Sequence, residues 1–176
     1  MIFHSLEIPG ALLIEPERKA DRRGFFARTW CRDELEERGL DPTVVQCNIS
    51  VNTAKGTVRG MHWQGEPSPE IKLVRCTNGS IHDVILDLRP DSPTYKRSFG
   101  VELTRENRLG LYIPVGVAHG FQTLEDDTEV FYQMSEFYDA DAQRGVRWND
   151  PAFDIAWPLP ISEISERDLT FPPFEE

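Results

Sequence analysis

The chain has 176 residues and a formal net charge of -11 at pH 7, with 39% hydrophobic and 28% charged residues. A single domain of this size buries roughly two-thirds of the surface its unfolded chain exposes, so a core forms without disulfide or metal staples. The acidic excess sets up a field that repels nucleic acid and anionic membrane surfaces, which argues against both as partners.

The first residues, MIFHSLEIPGALLIEPERKADRRG, interleave charged and apolar positions. They show neither the apolar stretch of a signal peptide nor a spanning segment. Cys31, Cys47 and Cys76 are odd in number, lack CxxC spacing and fall in stretches that read as strand or helix. The expectation is reduced thiols in a cytoplasmic protein.

Short apolar runs then follow one another: GALLIEP, GFFARTW, TVVQCNISVN, IKLVRCTN, SIHDVILDLRP, RSFGVELT, LGLYIPVGVAHGFQTL and EVFYQMSEFY. Most are rich in β-branched or aromatic residues and bounded by Gly, Pro, Asn or Asp, the pattern of strands. One helix is predicted over CRDELEERGLD, starting near Asp33 with Gly39 as its C-cap, and a helical turn at SERD. About ten strands with one early helix predict an all-β antiparallel sandwich or barrel, with a jelly roll leading, in one domain over 1–176. Pro158, Pro160, Pro172 and Pro173 predict an extended tail wrapped over the barrel.

From Gln46 to Gly65 there is no Asp or Glu, while Lys55 and Arg59 lie inside that stretch and Lys72 and Arg75 follow it. In so acidic a chain a basic island reads as an anion site, since the Arg fork donates paired hydrogen bonds and Lys supplies a point charge. The alternative is a chance gap in the acids with exposed basic ends. Strand alternation puts Gly60, His62 and Gln64 on one face, and Arg59, three positions before His62, on the other. A lone strand histidine is more often structural than a base. His4 and His82 are read as structural strand residues.

The spacing Pro114-x-Gly116-x-x-His119 matches the second signature of the cupin jelly rolls. Metal-binding cupins usually carry His-x-His in the first signature, where this chain has HWQGEPSPE, with Gln64 in place of the second histidine. His62 and His119 remain, and Glu66 or Glu70 could complete a ligand set, although a catalytic metal usually takes three protein ligands.

Through DRRGFF, QCNIS, GTVRGMHWQ, Lys72, GSIHDVILDLRPDSPT, PVGVAHGF, FYQMSEFY, RWNDP with AWP, and SERD, the chain resembles the dTDP-4-dehydrorhamnose 3,5-epimerases. These are cupin-fold enzymes of deoxysugar nucleotide metabolism. The resemblance implies a cofactor-free epimerase that inverts C3, C5 or both of a nucleotide-linked 4-keto-6-deoxyhexose. It makes His62 the base, oriented by Asp168, makes Tyr132 the acid on the other face of the sugar, and puts Lys72 near the C4 ketone. The chemistry is consistent: a proton next to a carbonyl is removable when a base of pKa about 6.5 reaches it and a cation stabilises the enolate. Without the resemblance, Asp168 reads as an exposed tail carboxylate and Tyr132 as a barrel-wall aromatic.

The same resemblance sets Arg59 and His119 along the sugar and diphosphate, Gln46 and Asn48 at the nucleotide, and Tyr138 stacked on the base. It implies that Arg23, Phe26 and the residue at 28 reach into a neighbouring subunit's pocket, hence an isologous homodimer. Three positions depart from the family's usual residues: Arg28 stands for Glu, Gln143 for Glu and Arg167 for Lys. They lie in the recognition shell, so the expectation is retained chemistry with an altered nucleotide or sugar preference. Two other readings stand beside this one. One is a metal-dependent cupin oxygenase or isomerase using His62, His119 and Glu66 or Glu70. The other is a sugar-nucleotide-binding cupin without turnover, for which an acid and base on opposite faces would have no use.

Overall fold

The computed structural model describes residues 1–175. Its elements, in chain order, are β1 (Ile2–Ser5), β2 (Leu12–Glu15), β3 (Lys19–Asp21), β4 (Gly24–Phe26), α1 (Arg32–Glu36), β5 (Gln46–Asn52), β6 (Thr57–Gln64), β7 (Lys72–Asn78) and β8 (Ser80–Asp87). β9 (Ser98–Thr104), β10 (Gly110–Ile113), β11 (Val117–Thr123), β12 (Thr128–Met134), β13 (Gln143–Gly145), β14 (Glu163–Ile164) and α2 (Glu166–Thr170) follow. One sheet has the order β1-β2-β10-β7-β12-β5, and the second the order β13-β6-β11-β8-β9, with β14 parallel to β6. The expected antiparallel jelly roll is the fold.

Val74, Cys76, Leu111, Ile113 and Val130 of the first sheet meet Ile81, Ile85, Leu103, Val117 and Phe121 of the second in the main core. β8 is buried almost throughout and β7 over Leu73–Cys76, so these two central strands lack the in–out alternation of an exposed strand. β5 lies at a sheet edge and alternates cleanly, with Cys47, Ile49 and Val51 outward and exposed. Burial pushes the Cys76 thiol up to about 12, and all three cysteines are free.

Two local expectations change. In GFFARTW only Gly24–Phe26 is strand, and it pairs with β3 in a hairpin separate from both main sheets. Its aromatics Phe25 and Phe26 are exposed rather than packed in the sandwich. The helix is also shorter than CRDELEERGLD: beyond Glu36 the chain closes through Gly39 N–H to Glu36 O and Leu40 N–H to Leu35 O. Gly39 adopts the left-handed conformation (φ 68°) that this closure requires, and Leu40 and Leu35 belong to one apolar cluster.

The tail does wrap the barrel. Ser162 N–H donates to Gly56 O, β14 adds to β6, and Trp157 and Phe174 pack on the cluster of Met61, Val84, Leu86 and Ala118. His82 stacks edge-on against Trp157, the structural role expected of it, while His4 pairs with Glu15. The tail's course delivers α2 to the open end of the sandwich.

Candidate active site

Between the sheets a cleft of about 830 Å³ is lined by Gln46, Asn48, Arg59, His62, Lys72, His119, Tyr132, Tyr138, Gln143, Arg167 and Asp168. Every candidate catalytic and substrate-binding residue except Arg23, Phe26 and Arg28 is therefore in one place. Those three stand on or just after the β3–β4 hairpin: Arg23 pairs with Asp21, Phe26 is 72% exposed, and Arg28 donates to Glu34 Oε1 at 2.8 Å.

Strand alternation fails at Arg59. His62 pairs with His119 and Arg59 with Phe121, so three steps on β6 span two on β11. The extra residue at Gly60–Met61 is a bulge, and it turns Arg59 into the same cleft as His62. Gly60 has φ 122°, and a Cβ there would sit 2.8 Å from the His119 carbonyl oxygen, so glycine is required. Arg59 Nε donates to Asn52 Oδ1 at 2.7 Å, which fixes the guanidinium along the floor.

Asp168 is not an exposed tail carboxylate. It is 3% exposed, its Oδ1 lies 2.6 Å from His62 Nε2, and its Oδ2 accepts the Gly60 N–H at 3.2 Å. Burial pushes its carboxyl pKa up, but the hydrogen bond and charge of His62 with the backbone bond outweigh that and hold it below the usual range. Ser165 caps α2 by accepting the Asp168 N–H, the Ser-x-x-Asp pattern of SERD. Phe171 meets the His62 ring edge-on at 5.9 Å, a contact that sequence reasoning missed.

Tyr132 and Lys72 come from the opposite sheet, on neighbouring strands. Burial raises the Tyr132 phenol pKa, Glu70's charge raises it further and Arg59 opposes. Burial lowers the Lys72 ammonium pKa, with Glu70, its ion-pair partner, opposing. The basic island is thus split. Arg59 and Lys72 enter the cleft, while Arg75 turns away to the carbonyls of Arg108 and Thr29, with burial lowering its pKa to about 10. Lys55 does not line the cleft.

At the mouth, Gln143 Oε1 accepts from Tyr138 Oη and from Arg167 Nη1, both at 2.7 Å, and the Tyr138 N–H donates to Gln46 Oε1. His119 engages the fully buried Asp83, a partner invisible from sequence spacing. Gln64 spends its amide on loop carbonyls of Ser68 and Phe137 and on the Asp139 N–H. Glu66 is exposed and Glu70 is tied to Lys72, so neither joins the two imidazoles; among the described residues no group of three or more His, Cys, Asp or Glu could hold a metal ion.

The arrangement presents an imidazole–carboxylate pair on one wall, a protonated phenol on the other, and a buried ammonium beside it. Comparisons place this chain among known proteins. A family model described as dTDP-4-dehydrorhamnose 3,5-epimerase matches residues 5–176. The dTDP-4-dehydrorhamnose 3,5-epimerase of Sinorhizobium fredii is 42% identical over 173 residues, covering 98% of this chain and 89% of the relative. The structure of dTDP-4-dehydrorhamnose 3,5-epimerase from Bacillus anthracis with TDP and PPi bound matches with a TM-score of 0.94 at 39% identity, covering 98% of this chain and 99% of the other. That of dTDP-6-deoxy-D-glucose-3,5-epimerase from Legionella pneumophila in complex with dTDP-4-keto-L-rhamnose gives 0.90 at 30%, covering 99% of each.

Proposed function

The chain belongs to the dTDP-4-dehydrorhamnose 3,5-epimerase family of isomerases, and on that premise we propose that it inverts C3, C5 or both of a dTDP-linked 4-keto-6-deoxyhexose. The carrying observation is that the His62–Asp168 pair and Tyr132 line one cleft from opposite sheets. Inversion through an enolate needs a base on one face of the ring and a proton donor on the other.

With Asp168 ionised, the imidazole hydrogen sits on Nε2 and Nδ1 keeps its lone pair for the carbon-bound proton. His62 removes that proton, and the electron pair moves onto O4. Lys72 donates a hydrogen bond to O4 as its charge grows, in a water-poor setting where such stabilisation is strong. Tyr132, kept protonated by burial, delivers its proton to the opposite face of the same carbon. Arg59 and His119 hold the sugar and diphosphate, Gln46 and Asn48 the nucleoside, and Tyr138 stacks on the base, with Gln143 and Arg167 bracing it.

The assembly in this reading is an isologous homodimer, with Arg23, Phe26 and Arg28 completing the neighbouring cleft. Exposed Phe26 on the hairpin and exposed Ile49 and Val51 on edge strand β5 support it. The free cysteines fit a cytoplasmic setting. The test is incubation with dTDP-4-keto-6-deoxyglucose in deuterated water. Label should enter C3 or C5 with inversion, and His62→Ala should abolish it; wild-type protein that exchanges neither proton overturns the reading.

A further inference from the structure

Glu70 ends the GEPSPE loop, one residue short of β7. Its backbone is pinned there, because the Ile71 N–H donates to Ser135 Oγ at 2.8 Å and the Ser135 N–H to Ile71 O at 3.0 Å. The side chain is only 4% exposed and lines the cleft. Oε1 accepts from Lys72 Nζ, whereas Oε2 is buried with no hydrogen-bond partner in the protein. A buried carboxylate oxygen left unsatisfied is costly, so a cleft that keeps one is shaped for a donor that arrives with the ligand.

We propose that Glu70 contacts the substrate: its Oε2 accepts a hydrogen bond from the hydroxyl on the carbon beside the ketone, while its Oε1 steadies Lys72 on the ketone oxygen. The inference rests on the placement of Lys72 at O4 given above. An ammonium and a carboxylate side by side match an α-hydroxyketone, carbonyl oxygen to cation and hydroxyl to anion. In a 4-keto-6-deoxyhexose only C3 offers that hydroxyl, because the other neighbour, C5, carries a methyl group. Glu70 thereby fixes which edge of the ring turns toward β7, and it keeps its grip when C3 becomes trigonal in the enolate.

The test follows deuterium entry at C5, which two substrates share: dTDP-4-keto-6-deoxyglucose and its 3-deoxy counterpart. In wild-type protein, loss of the hydroxyl should lower kcat/KM for C5 exchange roughly tenfold to a hundredfold, as expected for one charge-assisted hydrogen bond. Glu70→Ala should lose more on the full substrate than on the 3-deoxy compound, by a similar factor, the loss common to both substrates being that of the Lys72 contact. Isosteric Glu70→Gln guards against a folding artefact, and dTDP alone should bind both variants as it binds wild type. Equal losses on the two substrates, or a wild type indifferent to the hydroxyl, overturn the proposal while leaving the epimerase reading intact. Absence of exchange at both C3 and C5 of dTDP-4-keto-6-deoxyglucose in wild type overturns both.

Discussion

Replacing Asp168 with Asn keeps the side chain's shape and removes its charge. The carboxylate is 3% exposed and 2.6 Å from His62 Nε2, so the imidazolium formed on proton abstraction develops against it in a dry place. A charge-assisted hydrogen bond there contributes about 1.5–3 kcal/mol, or roughly 10- to 150-fold in kcat. An Asn amide presenting its NH2 to Nε2 would also move the hydrogen to Nδ1, the nitrogen that must accept the proton. The combined loss should be about 10²- to 10⁴-fold, the span of a general base. Deuterium exchange from C3 and C5 gives kcat, and titration with dTDP, which lacks the sugar, should show unchanged affinity. A kcat within threefold of wild type, or a loss carried wholly by KM, would refute the reasoning. The variant also has a pH signature. A carboxyl whose folded pKa lies below its unfolded value of about 3.9 adds stability that is present above that pH and lost as pH falls through the folded value. Asp168→Asn should therefore be less stable than wild type at neutral pH, with the two denaturation curves converging below about pH 4.

Tyr132→Phe should uncouple the two halves of the reaction: label still enters through His62, but inverted product falls by about a hundredfold, as chiral analysis of the labelled sugar would read. Lys72→Met leaves Glu70 as a buried charge without its partner and should cost about 3–5 kcal/mol in urea denaturation, most of it recovered by also changing Glu70 to Leu. Gly145→Ala puts a methyl into the Phe171 ring, which leans on His62; a cost of about 1–3 kcal/mol should lower Tm by roughly 2–10 °C and reduce kcat with it. Arg28→Glu should alter the ratio of dTDP affinity to those of CDP, UDP and GDP, and an unchanged strong dTDP preference in both proteins would remove Arg28 from nucleotide choice.

Sequence patterns that depend on near neighbours were legible. β5 alternates as its residues require, SERD forms a capped turn, and Gly39 ends α1 by the geometry only glycine adopts cheaply. Features that depend on what lies across a sheet were not. The basic island looked continuous along the chain, yet Arg75 belongs to the outer face and Lys55 to a turn, because pleating separates what sequence joins. Strand alternation puts Arg59 on the wrong side, since a bulge is invisible until the partner strand is known, although Gly60 in a run of strand formers is a signal for one. Asp168, more than a hundred positions from His62, carries no local mark of its burial, and only the family resemblance pointed to it. From the sequence Glu70 reads only as a possible metal ligand, because nothing in HWQGEPSPEIK distinguishes a free oxygen from a paired one.

The proposed base and acid, His62 on β6 and Tyr132 on β12, stand on different sheets, so the gap between them is not set by the ladder of either sheet. The gap is set by the thickness of the filling: Val74, Ile113 and Val130 on one side against Ile85, Val117 and Phe121 on the other. Packed sheets sit about 10 Å apart, and the bulk of the side chains between them tunes that figure. The core therefore works as a spacer between His62 and Tyr132. Trimming it at Val130 or padding it at Val117 would reset the reach of both groups at once, without touching either, and a ligand that bridges the sheets would act as a clamp on the whole sandwich.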